Sequence, residues 1–166
     1  MNTSQLLQTS IRRWIIFFML ALAVSGITAF ALETELNWVV SWWPEQKSSF
    51  YHWLSTCSNA IAFANEHYPF LAYGYDWLAF AHLVIAVAFI GPLVDPVKNV
   101  WILQFGMIAC IMVIPLAIVA GDIRQIPVYW RLIDCSFGIL GIIPLIICYR
   151  KTRLLEKIKN SPTNKL

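Results

Sequence analysis

The chain has 166 residues, 59% of them hydrophobic and only 13% charged, with a formal net charge of +3 and a mean hydropathy of +0.65. Such a composition excludes an ordinary water-soluble domain. The excess of positive charge is too small, and too confined to one end, to indicate nucleic-acid binding.

Residues 1–11 form a short polar N-terminal segment. The first apolar run is 14–32. At ~1.5 Å rise per residue, a helix of this length crosses a hydrocarbon core of roughly 30 Å. Arg12 and Arg13 precede the run, and Ala29-Phe30-Ala31 closes it in the manner of a cleavable leader. The run is long for a leader, so we read it as a retained helix. Cleavage would leave the later spans in the same orientation.

Residues 33–71 form the only large loop. Asn37 to Pro44 is too aromatic to be a solvated linker. Beyond it, Phe50, Trp53, Leu54, Cys57, Ile61 and Ala64 recur at helical spacing, while His52, Ser55, Thr56, Asn59 and Glu66 fall on the opposite side. This pattern predicts an amphipathic helix over about 45–67 lying on the outer membrane surface, with Pro44 at its start.

The second span is 72–93 and the third is 100–120. Between them, Gly91-Pro92 ends one helix, and Asp95-Pro96 suits the cap and first position of the next. The fourth span, 132–149, is the shortest, and a basic tail follows at 150–166. Pro115 and Pro144 lie inside spans and are expected to kink them. The fold class is therefore all-α: one integral membrane domain of four transmembrane helices, with a surface helix between the first and second.

Placing the N-terminus in the cytoplasm puts nine Lys and Arg residues inside and three outside. That asymmetry predicts both termini cytoplasmic, in a plasma or inner membrane. The basic tail is a topology anchor that can touch anionic lipid. With this orientation eleven Trp and Tyr residues fall outside and three inside. The larger outer loop explains part of the excess. An aromatic outer cavity or partner surface is the sharper explanation.

The candidate functional side chains are Tyr75, Asp76, His82, Arg131 and Asp134. Ionisable groups inside spans are costly and point to function by default. Asp76 and His82 lie on different faces of their helix, since six residues turn it through about 600°. Tyr75 shares the His82 stripe and is a candidate neighbour or relay. Arg131, Asp134, Gly138, Gly141, Leu145 and Cys148 line one face of the fourth span, whose glycines permit close helix approach. We expect Asp76, Arg131 and Asp134 to form an outer network locking spans two and four, with Asp122 as a competitor for the guanidinium.

None of the four cysteines is spaced as CxxC, and Cys57 with Cys135 is the one disulfide worth considering. There is no phosphate loop, HExxH, CxxCH or GxSxG motif. His52, His67 and Glu66 are read as incidental rather than metal ligands, and no cofactor is expected. The leading reading is a non-catalytic binding, scaffold or assembly component. Its partners are the lipid bilayer and a membrane protein, which includes a second copy of the chain. A transporter or channel subunit using Asp76, His82 and Asp134 is the alternative, and it requires pH-dependent flux that His82→Ala abolishes. A redox or lipid-modifying enzyme using His82 is the third, and its redox form requires bound haem or quinone.

Overall fold

The computed structural model describes residues 3–42 and 48–160, and they are helical without strands. The chain is an all-α membrane protein with four helical stretches long and apolar enough to cross a bilayer: Thr3–Phe30, Pro69–Val94, Val100–Ile123 and Val128–Lys159. The helices in chain order are α1 (Thr3–Phe30), α2 (Leu32–Trp42), α3 (Ser49–His67), α4 (Ala72–Ala88), α5 (Ile90–Val94), α6 (Val100–Ile123) and α7 (Val128–Lys159). A 3-10 turn, Pro69–Leu71, leads into α4. The chain divides into two compact units, residues 21–86 in one and residues 1–20 with 87–166 in the other.

In the larger unit, α6 and α7 pack along one another through glycine. A Cβ at Gly138 would fall on the Cys110 carbonyl oxygen, and one at Gly141 would meet the Cys110 sulfur at 3.2 Å. Small residues let helices approach this closely in a membrane, where packing rather than water expulsion drives association. At Gly106 the ring of Phe89 and a Leu145 methyl already lie 2.8 and 2.9 Å from where a Cβ would sit. Phe89 is fully buried and meets Phe18 of α1 at 4.8 Å between ring centres.

The ends of the helices differ from expectation. Helix α1 begins at Thr3 and not near Trp14, and α7 continues to Lys159, well past Tyr149. One physical cause covers both changes. Cys148, Thr152 and Leu155 prolong the buried face of α7, and Ile11 and Ile15 of α1 are fully buried. The Cys148 thiol points at the Ile11 carbonyl at 3.7 Å, and the Lys151 ammonium donates to the Ser10 hydroxyl. The polar N-terminal segment from Thr3 onward and part of the basic tail are thus helix, while residues 1–2 and 161–166 lie outside the described residues.

Helix α5 is the last turn of the second span, split from α4 at Phe89. Pro92 lacks the N–H that would bond to the Ala88 carbonyl, so the break falls one turn before it. Asp95 then caps the following turn, accepting from the Val97 and Lys98 amides at 3.2 Å each. The Asn99 side chain donates to the Gly91 and Asp95 carbonyls at 3.1 and 2.9 Å, tying α5 to the start of α6.

Helix α6 ends in a six-residue C-terminal turn. The Ile126 amide donates to the Gly121 carbonyl at 2.8 Å and the Gln125 amide to that of Asp122 at 3.0 Å. Gln125 occupies the left-handed position of this turn with φ 56°. A side chain there is strained, and glycine is not. Gln125→Gly is therefore expected to stabilise the protein by about 0.5–1 kcal/mol. Thermal unfolding in detergent tests this, and a lowered midpoint would count against it.

In the smaller unit, α2 was not anticipated. It follows α1 after a single turn residue, Ala31, and carries Glu33 and Glu35 in its first turn, where acid favours the helix dipole. Helix α3 starts at Ser49 because the Ser48 hydroxyl accepts from the Tyr51 amide at 3.2 Å. Pro69 follows its last turn. Leu54 and Ser58 are its buried residues, and Phe50, Trp53, Cys57, Ile61 and Ala64 are half-buried. His52, Thr56, Asn59 and Glu66 are exposed. The expected start of this helix at 45, and Pro44 before it, lie outside the described residues. Within the same unit α1 closes on α4 at Gly26, where a Cβ would lie 2.8 Å from the Ala79 carbonyl and 3.1 Å from the His82 Cβ.

Candidate functional site

Helix α4 presents Tyr73, Asp76, Trp77 and Phe80 on one face, since these positions follow the i, i+3, i+4, i+7 rule. With Phe30 near the end of α1 they line an open cleft of about 330 Å3. Tyr73 and Trp77 lie 5.9 Å apart at 85°, and Trp77 and Phe80 6.0 Å apart at 88°. All four rings are exposed. Among the described residues Asp76 makes no hydrogen bond or ion pair, and it is the one ionisable carboxylate in the cleft.

Tyr75 points elsewhere. Its hydroxyl donates to the Asn65 carbonyl oxygen at 2.6 Å, and the Asn65 amide nitrogen donates to Glu33 at 2.6 Å. The amide orientation follows from its partners, a phenol on the oxygen side and a carboxylate on the nitrogen side. A second pair, Ser58 to the Asn37 side-chain oxygen at 2.5 Å, joins α2 and α3 again. This chain through α4, α3 and α2 corrects the expectation that Tyr75 serves His82. Tyr75→Phe is expected to destabilise the protein by about 1 kcal/mol, and Asn65→Ala by more, because it strips partners from both neighbours. Unfolding midpoints of the two variants check the order.

Glu33 and Asn65 escaped sequence reasoning. A signal was present: Glu33 and Asn37 are four residues apart on one helix, and Ser58 and Asn65 seven apart on the other. Both spacings keep polar groups on one face, as two antiparallel helices in register require.

The His82 ring turns back onto its own helix, with Nδ1 2.8 Å from the Leu78 carbonyl. A carbonyl only accepts, so Nδ1 is the donor in this bond. The partner is therefore its own backbone and not a facing helix. The His82 Cβ, and not its ring, marks the close approach of Gly26.

The expected pairing of Arg131 with Asp134 is corrected as well. Arg131 does not pair with Asp134. Its Nε donates to the Ile126 carbonyl at 2.9 Å and its Nη1 to Asp122 at 3.1 Å. Side chains on a helix lean toward its N-terminus, so an arginine in the first turn of α7 reaches the preceding loop and not forward to Asp134. Its methylenes lie over Gly121, where a Cβ would come within 2.5 Å. Asp134 is left without an ion pair or hydrogen bond among the described residues. It lines a second cleft of about 300 Å3 with Arg124, Ile126, Gly121 and apolar residues of α6.

All four cysteines are free thiols in the structure. Burial pushes the Cys57 thiol up from its ordinary value, so it stays protonated at neutral pH. His67 stacks on Phe63 at 4.1 Å and lies 3.9 Å from Glu66. Among the described residues no group of three or more His, Cys, Asp or Glu side chains could hold a metal ion. What the two clefts bring together is binding chemistry: aromatic faces with a lone carboxylate in one, apolar walls with an acid and an arginine in the other. No protein-family model matches the chain, and neither does any curated protein or solved structure.

Proposed function

We propose that the protein is a non-catalytic binding component of the plasma or inner membrane, and that it holds a membrane lipid in the Asp76 cleft. The observation that carries this reading is a lone carboxylate set among four exposed aromatic rings at the end of a membrane span. In this reading both termini are cytoplasmic, as the nine-to-three split of Lys and Arg favours. Helix α3 is amphipathic and lies along the outer surface, with Leu54 and Ser58 turned inward and His52, Thr56 and Asn59 toward water.

The reading is tested by lipid analysis of protein purified in mild detergent. Lipid retained per chain should fall several-fold in a Trp77→Ala, Phe80→Ala variant that remains folded. Unchanged retention would refute lipid holding at this cleft.

One observation favours a second reading, an ion- or proton-conducting subunit. Asp134 lies inside a span, unpaired and beside an open cleft. It requires proton flux in liposomes that Asp134→Asn abolishes. Tight vesicles with no flux above the protein-free baseline would eliminate it.

A further inference from the structure

We propose that the Asp76 cleft seats the alkylammonium headgroup of a zwitterionic lipid, of the phosphoethanolamine or phosphocholine type. This rests on the lipid-binding reading above and names its ligand. Aromatic faces carry negative quadrupole potential and attract a cation within ~6 Å of the ring centre. Tyr73, Trp77 and Phe80 follow one another along a single face of α4 at angles of 85° and 88°, edge to face and not stacked, so their faces stay open to a ligand. Its volume of about 330 Å3 falls in the roughly 300–1,000 Å3 range of small-ligand sites.

An interfacial aromatic belt explains exposed Tyr and Trp rings. It does not explain the carboxylate among them. Helix α4 starts at Ala72, so Asp76 lies beyond the first turn, where the helix dipole steadies an anion. Among the described residues no Lys, Arg or His lines the cleft. An ionised carboxylate at the end of an apolar span, without a protein cation, is costly. A ligand cation supplies the missing partner, and its methylene or methyl groups lie against the rings. The same carboxylate repels phosphate-only headgroups, so the cleft discriminates by charge as well as by shape.

The test is native mass spectrometry of the full chain. The protein is equilibrated with equimolar phosphatidylethanolamine, phosphatidylcholine and phosphatidylglycerol of identical acyl chains. Wild type should retain the two amine lipids about tenfold over phosphatidylglycerol, the scale of one charge-assisted contact. Asp76→Asn should bring the ratio near one without reducing total lipid, and Asp76→Glu should keep the preference. Trp77→Phe should keep it and Trp77→Leu weaken it.

Equal retention of all three lipids, in wild type and Asp76→Asn alike, overturns the ammonium assignment and leaves lipid binding at the cleft intact. Retention that ignores both Trp77 and Phe80 overturns the lipid-binding reading itself. A choline-chloride arm separates the sources. Tight choline binding at a cleft that no lipid occupies overturns the lipid headgroup in favour of a free ammonium compound.

Discussion

Gly138→Val is expected to leave no monodisperse protein in detergent, and Gly138→Ala to lower the unfolding midpoint clearly. The obstacle at Gly138 is the Cys110 carbonyl oxygen, part of the α6 backbone, with the Val113 Cβ at 3.5 Å beside it. A flexible side chain could turn away, whereas a helix backbone cannot without moving α6 as a whole. Overpacking a tight core costs about 1–3 kcal/mol for modest additions, and valine adds a branched side chain where even one carbon does not fit. The control is Gly74→Ala in α4, whose Cβ would meet nothing within 4 Å. That change should be neutral or stabilising by up to about 1 kcal/mol, because alanine is the better helix former. Size-exclusion chromatography with fluorescence detection, before and after heating, distinguishes the cases. A Gly138→Val protein as stable as wild type would show that α6 and α7 do not touch there.

Arg131→Gln is expected to destabilise the protein by about 1.5–3 kcal/mol, the range for hydrogen bonds to charged groups, while Asp134→Asn leaves the midpoint unchanged. The Arg131 side chain is 19% exposed and Asp122 is 78% exposed, so the two partners are not equivalent. Removing the arginine strands the Ile126 carbonyl and uncovers Gly121. Asp122→Asn removes only an acid that water already solvates, and about 0–1 kcal/mol is expected. Midpoints of the three variants in one detergent give the ordering. Equal losses in Arg131→Gln and Asp134→Asn would return the arginine to Asp134.

Hydropathy alone located the four spans, because a bilayer demands about twenty apolar residues and little else satisfies that demand. The glycine face of the fourth span was legible for a similar reason: Gly138 and Gly141 share a stripe at helical spacing, and close packing is the usual use of such a stripe. The choice of partner for Arg131 was not legible. Asp122 and Asp134 are both within reach in sequence, and the decision lies in the direction of the arginine's Cα–Cβ bond and in a turn closed by Gln125. The Tyr75–Asn65–Glu33 chain was hidden by sequence distance, since Glu33 and Asn65 are 32 residues apart. The first and last long helices run beyond the apolar spans read from the sequence. Thr3–Ser10 and Arg150–Lys159 are helical as well, and Lys151 reaches Ser10 between them, a contact that a count of apolar residues per window does not register.

Helix α7 runs without interruption for 32 residues, about 48 Å at ~1.5 Å per residue, against a hydrocarbon core of roughly 30 Å. Near one end Arg131 grips the loop after α6, and about 30 Å along the axis Lys151 grips Ser10. The rod is weakest near its middle, where Pro144 leaves the Leu140 carbonyl without its usual donor. Such an element tolerates bending there but resists twisting, because every other rung of the ladder remains. Spin labels at the two ends should therefore reorient together about the helix axis even where the angle between the halves varies. A rotation imposed at Arg131 should then be felt at the Ser10 contact, on the far side of the Pro144 bend.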